Sequence, residues 1–318
     1  MSKPIGIHPA AVTGGLAVVL VLSWSTGFWG AALVPPGVRP SVLLLWRFVP
    51  VAVVLWAVVA ARGLLPRRED LGHHVLVGLL AQVGYVVPVY VAVGLGVSTG
   101  TTSLVDAVQP VVVATLAGPL LGLAVRRLQW LGLLVSSVGV LLVVRADAVA
   151  GDAAPWAYAV PLVAVASLVA ATVLERRRAE RTPVPTMLAI HVSLTSAVLA
   201  VPALSGPDPV PADPAFWGVA ALLAVGPTTL AYATYWCLLR RVDVTVLTAL
   251  LLLVVPTTAV GGTLFLGEPF GPLTALGIGA VALGVGAVVR GERPVDRGVR
   301  SPATPPSPAR TPARPAGR

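Results

Sequence analysis

Two stretches of the chain follow one pattern: Leu131–Val144 reads LGLLVSSVGVLLVV, and Leu276–Val289 reads LGIGAVALGVGAVV. Each has Leu-Gly, six residues, Gly-Val, two residues and Val-Val, and the two copies are offset by 145 positions. The same offset relates Tyr90 to Tyr235, and a slip of one residue relates Pro110 to Pro256. Chance agreement among small apolar residues is the alternative explanation. Because internal repeats decide architecture, the pattern predicts a chain made of two copies of one unit.

The composition excludes a water-soluble globular enzyme. Of 318 residues, 56% are hydrophobic and 11% are charged, and the mean hydropathy is +0.89. An ordinary soluble domain carries roughly 25% charged residues. Disorder of the body is also excluded, because disorder requires low hydrophobicity. The single cysteine, Cys237, excludes an intramolecular disulfide framework and a cysteine-based zinc site.

Ten apolar stretches are long enough to cross a bilayer as helices, which takes about 20 residues each. They lie near 11–34, 41–61, 74–96, 100–124, 128–145, 155–175, 185–204, 215–239, 244–265 and 272–290. None alternates apolar and polar residues as a membrane β-barrel would. The first stretch is too long for a signal peptide and is interpreted as a retained helix.

Each copy of the repeat contains five spans, so the second copy enters the membrane from the opposite side. We therefore predict an all-α membrane protein of ten transmembrane helices in two inverted five-helix repeats, an arrangement typical of secondary transporters. The expected domains are a short N-terminus (1–10), the first repeat (11–146), the second repeat (153–290) and a disordered basic tail (291–318). That tail holds seven prolines and six arginines.

The basic residues predict the orientation. With ten spans and a cytoplasmic N-terminus, 19 of the 22 Lys and Arg residues fall in cytoplasmic segments, as the positive-inside rule requires. The exceptions are Arg39, Arg47 and Arg145. The net charge of +9 is therefore interpreted as a signal of topology rather than of nucleic-acid binding. The protein is expected to be a multi-pass protein of a cell membrane, and a bacterial cytoplasmic membrane is favoured, with both termini in the cytoplasm.

Several motifs resemble a known family. They are WSTGFWG at Trp24–Gly30, LWRF at Leu45–Phe48, VQP at Val108–Pro110, and LGEP at Leu266–Pro269 followed by Leu276-Gly277. Together they resemble the EamA-type branch of the drug/metabolite transporter superfamily over about residues 10–290. The resemblance implies ten helices in two five-helix repeats and an exporter. The first repeat departs from the family pattern, because Arg126 and Arg127 follow a turn without the usual Gly-Glu.

Three ionisable residues lie within the predicted spans, where a charge is costly and each is a functional candidate. Arg47 and Asp106 each lie six residues from the outer end of their span, so an ion pair between them is possible. Such a pair could simply join two helices, or either group could bind a charged substrate or a proton. The structural role is favoured for Arg47 and the functional role for Asp106. His191 corresponds to Arg47 in the second repeat. A neutral, hydrogen-bonded histidine is favoured there, and a titrating proton site is the alternative.

Other polar and aromatic side chains complete the predicted pathway. Thr102, Asp106, Gln109 and Val113 share one helical face, and Pro110 and Pro256 are expected to kink their helices. The further candidates are Gln82, Tyr85, Trp24, Thr228, Tyr232 and Tyr235. Each aromatic residue could equally face lipid or lie in an interfacial belt.

The predicted function is secondary transport, with export of a small metabolite or amino-acid-like solute by alternating access. Proton coupling through Asp106 is a hypothesis. The alternative is a non-transporting polytopic sensor or assembly scaffold. An enzyme is not expected, because the histidines lie in three scattered places along the sequence and no motif for ATP or metal catalysis is present. No cofactor, metal or nucleic acid is expected, and a monomer and a homodimer are both open.

Overall fold

The structure, a computed structural model, describes residues 9–32, 37–95, 106–107, 109–122, 124–147, 154–178, 182–266 and 271–291. Thr102, the LGEP turn residues 267–269 and nearly all of the predicted N-terminal and C-terminal segments lie outside these residues. The described chain is helical throughout and contains no strand.

Helices occupy the positions of all ten predicted spans. In chain order they are α1 (Pro9–Ala32), α2 (Pro40–Ala61), α3 (Arg68–Gly78), α4 (Gly84–Gly94), α5 (Gln109–Leu121), α6 (Arg127–Asp147), α7 (Val160–Arg177), α8 (Val184–Leu204), α9 (Pro214–Leu223), α10 (Tyr232–Leu239), α11 (Val244–Leu251), α12 (Val254–Leu266) and α13 (Pro272–Gly291). Short π-helical segments, Leu79–Val83 and Ala224–Ala231, join α3 to α4 and α9 to α10, so those pairs form the third and eighth spans. A 3-10 turn, Pro155–Ala159, precedes α7.

Within the described residues, seven of these rods are long and apolar enough to cross a membrane. The fourth, fifth and sixth spans are shorter in their apolar part: α5 has 13 described residues, and the apolar part of α6 is Arg127–Leu142. The third span begins at Arg68, six residues before the predicted start, because its first turns are helical although they carry Asp70, His73 and His74. The predicted class, an all-α multi-pass membrane protein, is confirmed.

The two halves pack by equivalent contacts. Helix α6, the fifth span, packs along α13, the tenth, and α2, the second span, packs along α8, the seventh. The first span lies against the eighth, and the third span lies against the sixth in the same way. Every pair therefore joins a helix of one repeat to a helix of the other, as a pseudo-twofold axis requires.

The glycines of the repeated motif show this axis at atomic scale. A Cβ on Gly132 would lie 2.5 Å from the Gly284 carbonyl oxygen, and one on Gly139 would lie 2.7 Å from the Gly277 carbonyl oxygen. Between them, the Ser136 hydroxyl donates to the Val281 carbonyl at 3.4 Å. Because Gly132 corresponds to Gly277 and Gly139 to Gly284, each contact maps onto the other when the halves are exchanged. The absence of side chains at these glycines lets the two backbones approach closely.

The arginine-bearing connections meet at one end of the bundle, here called the arginine end. Arg177 donates to the Leu120 carbonyl at 2.6 and 2.9 Å, Arg126 to the Gly291 carbonyl at 3.3 Å, and Arg240 to the Thr182 carbonyl at 2.7 Å. At the opposite end Arg39 donates to the carbonyls of Pro202, Ala203 and Pro207. The separation of charge that the sequence predicted is therefore present in the fold.

Candidate functional site

The fourth and ninth spans are both interrupted, at equivalent positions of the two repeats. Ala107 lies in a turn before α5 begins at Gln109, and Leu252 and Leu253 form a turn between α11 and α12. Helix α5 packs against α11, so the two interruptions lie close together. Interrupted helices at matching positions of inverted repeats are the best structural pointer to a transporter's binding site.

Pro110 and Pro256 explain where these interruptions fall. A proline ring clashes with the carbonyl of the residue four positions earlier, which is Asp106 for Pro110 and Leu252 for Pro256. Each proline consequently lies in the first turn of the helix that follows the interruption, where its missing N–H costs no hydrogen bond. The structure has two broken helices here, whereas the sequence predicted continuous helices with kinks.

A small cavity lies at the interruptions. Residues of both broken spans and of α1 line it: Trp24, Asp106, Ala107, Gln109, Pro110, Leu251, Leu252, Val254 and Val255. It offers about 20 Å³ to the centres of water-sized molecules, which is room for one or two waters. In this conformation the site is therefore occluded, and a solute of metabolite size needs the broken helices to move apart.

Asp106 is the one carboxylic acid of the described chain that lies within the apolar body rather than near an end of the bundle. It is half-buried and accepts a hydrogen bond from the Tyr85 hydroxyl. A carboxylate that faces a cavity inside a membrane protein is costly when charged, which makes it a candidate for proton or substrate binding.

Aromatic side chains from both halves surround Trp24. The centroid of its indole lies 5.9 Å from the ring of Tyr85, 5.4 Å from Tyr232 and 5.7 Å from Tyr235. Tyr232 donates to the Ala81 carbonyl at 2.6 Å, and the hydroxyls of Tyr235 and Thr172 lie 2.5 Å apart. These rings form a rigid wall of the site, since tilted aromatic pairs at 4.5–7 Å are mutually favourable.

Arg47 is 4% exposed and is bound by hydroxyl groups. Its Nε donates to Thr228 Oγ1 at 2.5 Å, and its Nη1 donates to the Tyr90 hydroxyl at 3.5 Å. Thr228 belongs to the second π segment, so this contact joins the second span to the eighth.

The proposed Arg47–Asp106 ion pair is absent among the described side chains. Arg47 contacts Thr228 and Tyr90, whereas Asp106 contacts Tyr85, and the ion pairs of the described chain include neither residue. Equal depth in two spans was a correct premise for possible pairing, but depth does not determine which neighbouring helix a side chain faces.

His191 is fully buried, yet neither of its ring nitrogens has a hydrogen-bond partner in the described part of the chain. The favoured expectation of a hydrogen-bonded histidine is therefore wrong. Its ring lies 5.9 Å from that of His74 and 6.0 Å from that of Trp236, and a Cβ on Gly78 would lie 2.9 Å from its Cδ2. Like Arg47 in the other repeat, it faces the span of the other half that contains a π segment.

The two glutamines are buried and only partly bonded. Gln82 accepts a hydrogen bond from Thr195 at 3.2 Å, and its Nε2 has no partner among the described residues. Gln109 lines the cavity, and its Nε2 likewise has no partner there. Free amide donors beside a cavity can bind an acceptor on a solute.

Some parts of the site have no signal in the sequence. Leu251, Leu252, Val254 and Val255 line the cavity, but apolar residues in an apolar span cannot be told from lipid-facing ones. His73, His74 and His191 were expected to be scattered, and the structure corrects this: the ring centroids of His73 and His74 are 5.1 Å apart, and those of His74 and His191 are 5.9 Å apart. They lie on two spans whose packing is not encoded in local periodicity.

Fold and site together define a multi-pass helical membrane protein with an occluded cavity between inverted repeats. The EamA-like transporter family matches the chain twice, at residues 13–145 and 155–290. The chain therefore belongs to the EamA-like transporter family, as the sequence motifs indicated.

Comparison with solved structures supports the fold. A crystal structure of a protein 20% identical to this chain has a TM-score of 0.73, covering 88% of this chain and 98% of that one. At that identity the likeness concerns the fold alone. No curated protein matches the chain.

Proposed function

We propose that the chain is a secondary transporter that exports a small metabolite or amino-acid-like solute across a bacterial cytoplasmic membrane by alternating access. The observation that carries the proposal is the cavity between the equivalent interruptions of the fourth and ninth spans. Family membership supports a membrane transporter of the drug/metabolite class rather than an enzyme. Both termini are assigned to the cytoplasm, because the arginine end carries the positive charge.

Two groups are proposed to recognise the solute. Arg47 has hydroxyl partners but no carboxylate partner among the described residues, so its charge is available for a carboxylate on the solute. The aromatic wall around Trp24 supplies apolar and weakly polar contact area. A carboxylate next to an apolar or aromatic group is the chemistry of an amino-acid-like solute.

Asp106 is proposed to carry the coupling proton. Its carboxylate faces the cavity from an interrupted helix, and the Tyr85 hydroxyl stabilises its charged form by donating to it. Release of this proton to one side and uptake from the other would couple the pH gradient to solute movement.

The experiment is solute flux into proteoliposomes with and without an imposed pH gradient, for wild type and Asp106→Asn. Candidate solutes come from an untargeted comparison of metabolites secreted with and without the protein. We expect the pH gradient to accelerate wild-type flux severalfold and to leave the Asn variant unaffected. Asp213→Asn is the matched control, because Asp213 caps α9 at the opposite end and asparagine also caps helices. Equal acceleration of Asp106→Asn and wild type would remove Asp106 from the coupling mechanism.

A further inference from the structure

A compact group of metal-ligating side chains lies at the arginine end, away from the cavity. His73 and His74 belong to α3 in the first half, and Glu175 belongs to α7 in the second. One imidazole nitrogen of each histidine and one carboxylate oxygen of Glu175 all lie within 4.8 Å of one another. His74 is fully buried and Glu175 is buried, so the group is not an exposed surface cluster.

The atoms of this group divide their partners in a way that leaves ligand positions free. Glu175 Oε1 accepts from Arg240 at 3.3 Å, while its Oε2 lies 3.0 Å from His73 Nε2. His74 Nε2 lies 2.7 Å from Thr182 Oγ1, and His74 Nδ1 has no hydrogen-bond partner in the described chain. A fully buried imidazole nitrogen without a partner is unfavourable, and a metal ion would satisfy it.

We propose that His73, His74 and Glu175 bind one divalent transition-metal ion of the zinc class. Two imidazoles and a carboxylate with an open fourth position are a ligand set that zinc takes in proteins. Zinc holds nitrogen and oxygen ligands at about 2.0–2.2 Å, which places tetrahedral ligand atoms about 3.3 Å apart. The 3.0 Å separation of His73 Nε2 from Glu175 Oε2 is already close to that value, and His74 needs a shift of about 1.5 Å or less.

The surroundings of the site fit this assignment. With zinc on His74 Nδ1, the Nε2–H donates to Thr182 Oγ1, and such a bond to the far nitrogen orients metal-bound histidines in general. The neighbouring charges are Arg240 on Glu175 and the Arg178–Asp70 ion pair, which together with Glu175 sum to zero. The ion would connect α3 of the first half to α7 of the second and would hold the arginine end closed.

The test is zinc binding by the purified full chain without a histidine tag, measured by competition with a chromophoric zinc chelator. We expect one zinc per wild-type chain and at least about tenfold weaker binding by His73→Gln, which keeps a hydrogen-bond donor but loses the ligand. His73→Cys is expected to retain binding, because a thiolate also binds zinc. Glu69→Gln is the matched control, since Glu69 is an exposed acid in the same helix.

Thermal melting with and without zinc distinguishes loss of the site from loss of the fold. We expect zinc to raise the melting temperature of wild type and His73→Cys and to leave that of His73→Gln unchanged. Equal binding by wild type and His73→Gln, or no binding by wild type, would overturn the proposal. Either result concerns the arginine end and leaves the transport assay at Asp106 interpretable by itself.

Discussion

Arg47 illustrates how a buried charge is held within this bundle. Its guanidinium is 4% exposed and bonds to the Thr228 and Tyr90 hydroxyls. Thr228 also donates its own proton to the Leu223 carbonyl five residues earlier, at 2.8 Å. The hydroxyl therefore acts as donor to the π segment and as acceptor for the arginine at the same time.

We predict that Thr228→Val lowers the free energy of unfolding by about 1–3 kcal/mol, because the Arg47 Nε–H then has no acceptor in a buried place. Thr229→Val is the matched control: the Thr229 hydroxyl also donates to the carbonyl five residues earlier, at 2.7 Å, but binds no charge. Thermal melting of the purified variants measures the difference. Equal destabilisation by the two substitutions would mean that Thr228 does not support Arg47.

At this scale the sequence identifies residue types but not their partners. Intramembrane Arg47, Asp106 and His191 could be selected as candidates from cost alone. Their neighbours depend on which face of each helix meets which other helix, and in an apolar chain the hydropathy pattern does not encode that. Arg47 consequently pairs with a threonine rather than with Asp106, and His191 packs on rings rather than forming hydrogen bonds.

Among the helices, the crossing of α6 and α13 depends on glycine. The motif glycines place each backbone against the carbonyls of the other helix, with 2.5 Å between a Cβ built on Gly284 and the Gly132 oxygen. No real side chain fits at that distance. The repeated motif that reveals the duplication in the sequence is thus also the contact surface between the two copies.

We predict that Gly284→Ala destabilises the protein by about 1–3 kcal/mol, since the added methyl group forces the helices apart. Gly279→Ala in the same helix is the control, because a Cβ at Gly279 meets nothing within 4 Å. Alanine has the higher helix propensity, so we expect the control to be neutral or up to about 1 kcal/mol more stable. The melting temperatures of the two variants provide the comparison, and similar values would contradict close packing at Gly284.

The elements show a similar division between what the sequence predicts and what it does not. Length and hydropathy place the spans, and the motif places the repeat. The π segments were not predicted, because one extra residue per turn barely changes an apolar pattern. The interruptions at Ala107 and Leu252–Leu253 were anticipated only as kinks, since a proline indicates a disturbance of the helix without giving its extent.

For the whole molecule, Cys237 tests the orientation. It is partly exposed, lies in the last turns of α10 and precedes Arg240 at the arginine end. We predict that an impermeant thiol reagent labels it in inverted membrane vesicles and not in intact cells, because the arginine end faces the cytoplasm.

A second cysteine position provides the control for that orientation. Ser205 follows α8 at the opposite end and is exposed. Ser205→Cys in a Cys237→Ser background should be labelled in intact cells. Labelling of the native Cys237 from outside would reverse the topology and with it the assignment of both termini to the cytoplasm.

The π segments also carry information about the history of the molecule. They begin at Leu79 and Ala224, positions that differ by 145, the same offset that relates the two sequence motifs. An irregularity at one place in both copies is most simply inherited from a single ancestor. The extra residue was thus already present in a five-helix precursor, before gene duplication produced the ten-helix chain.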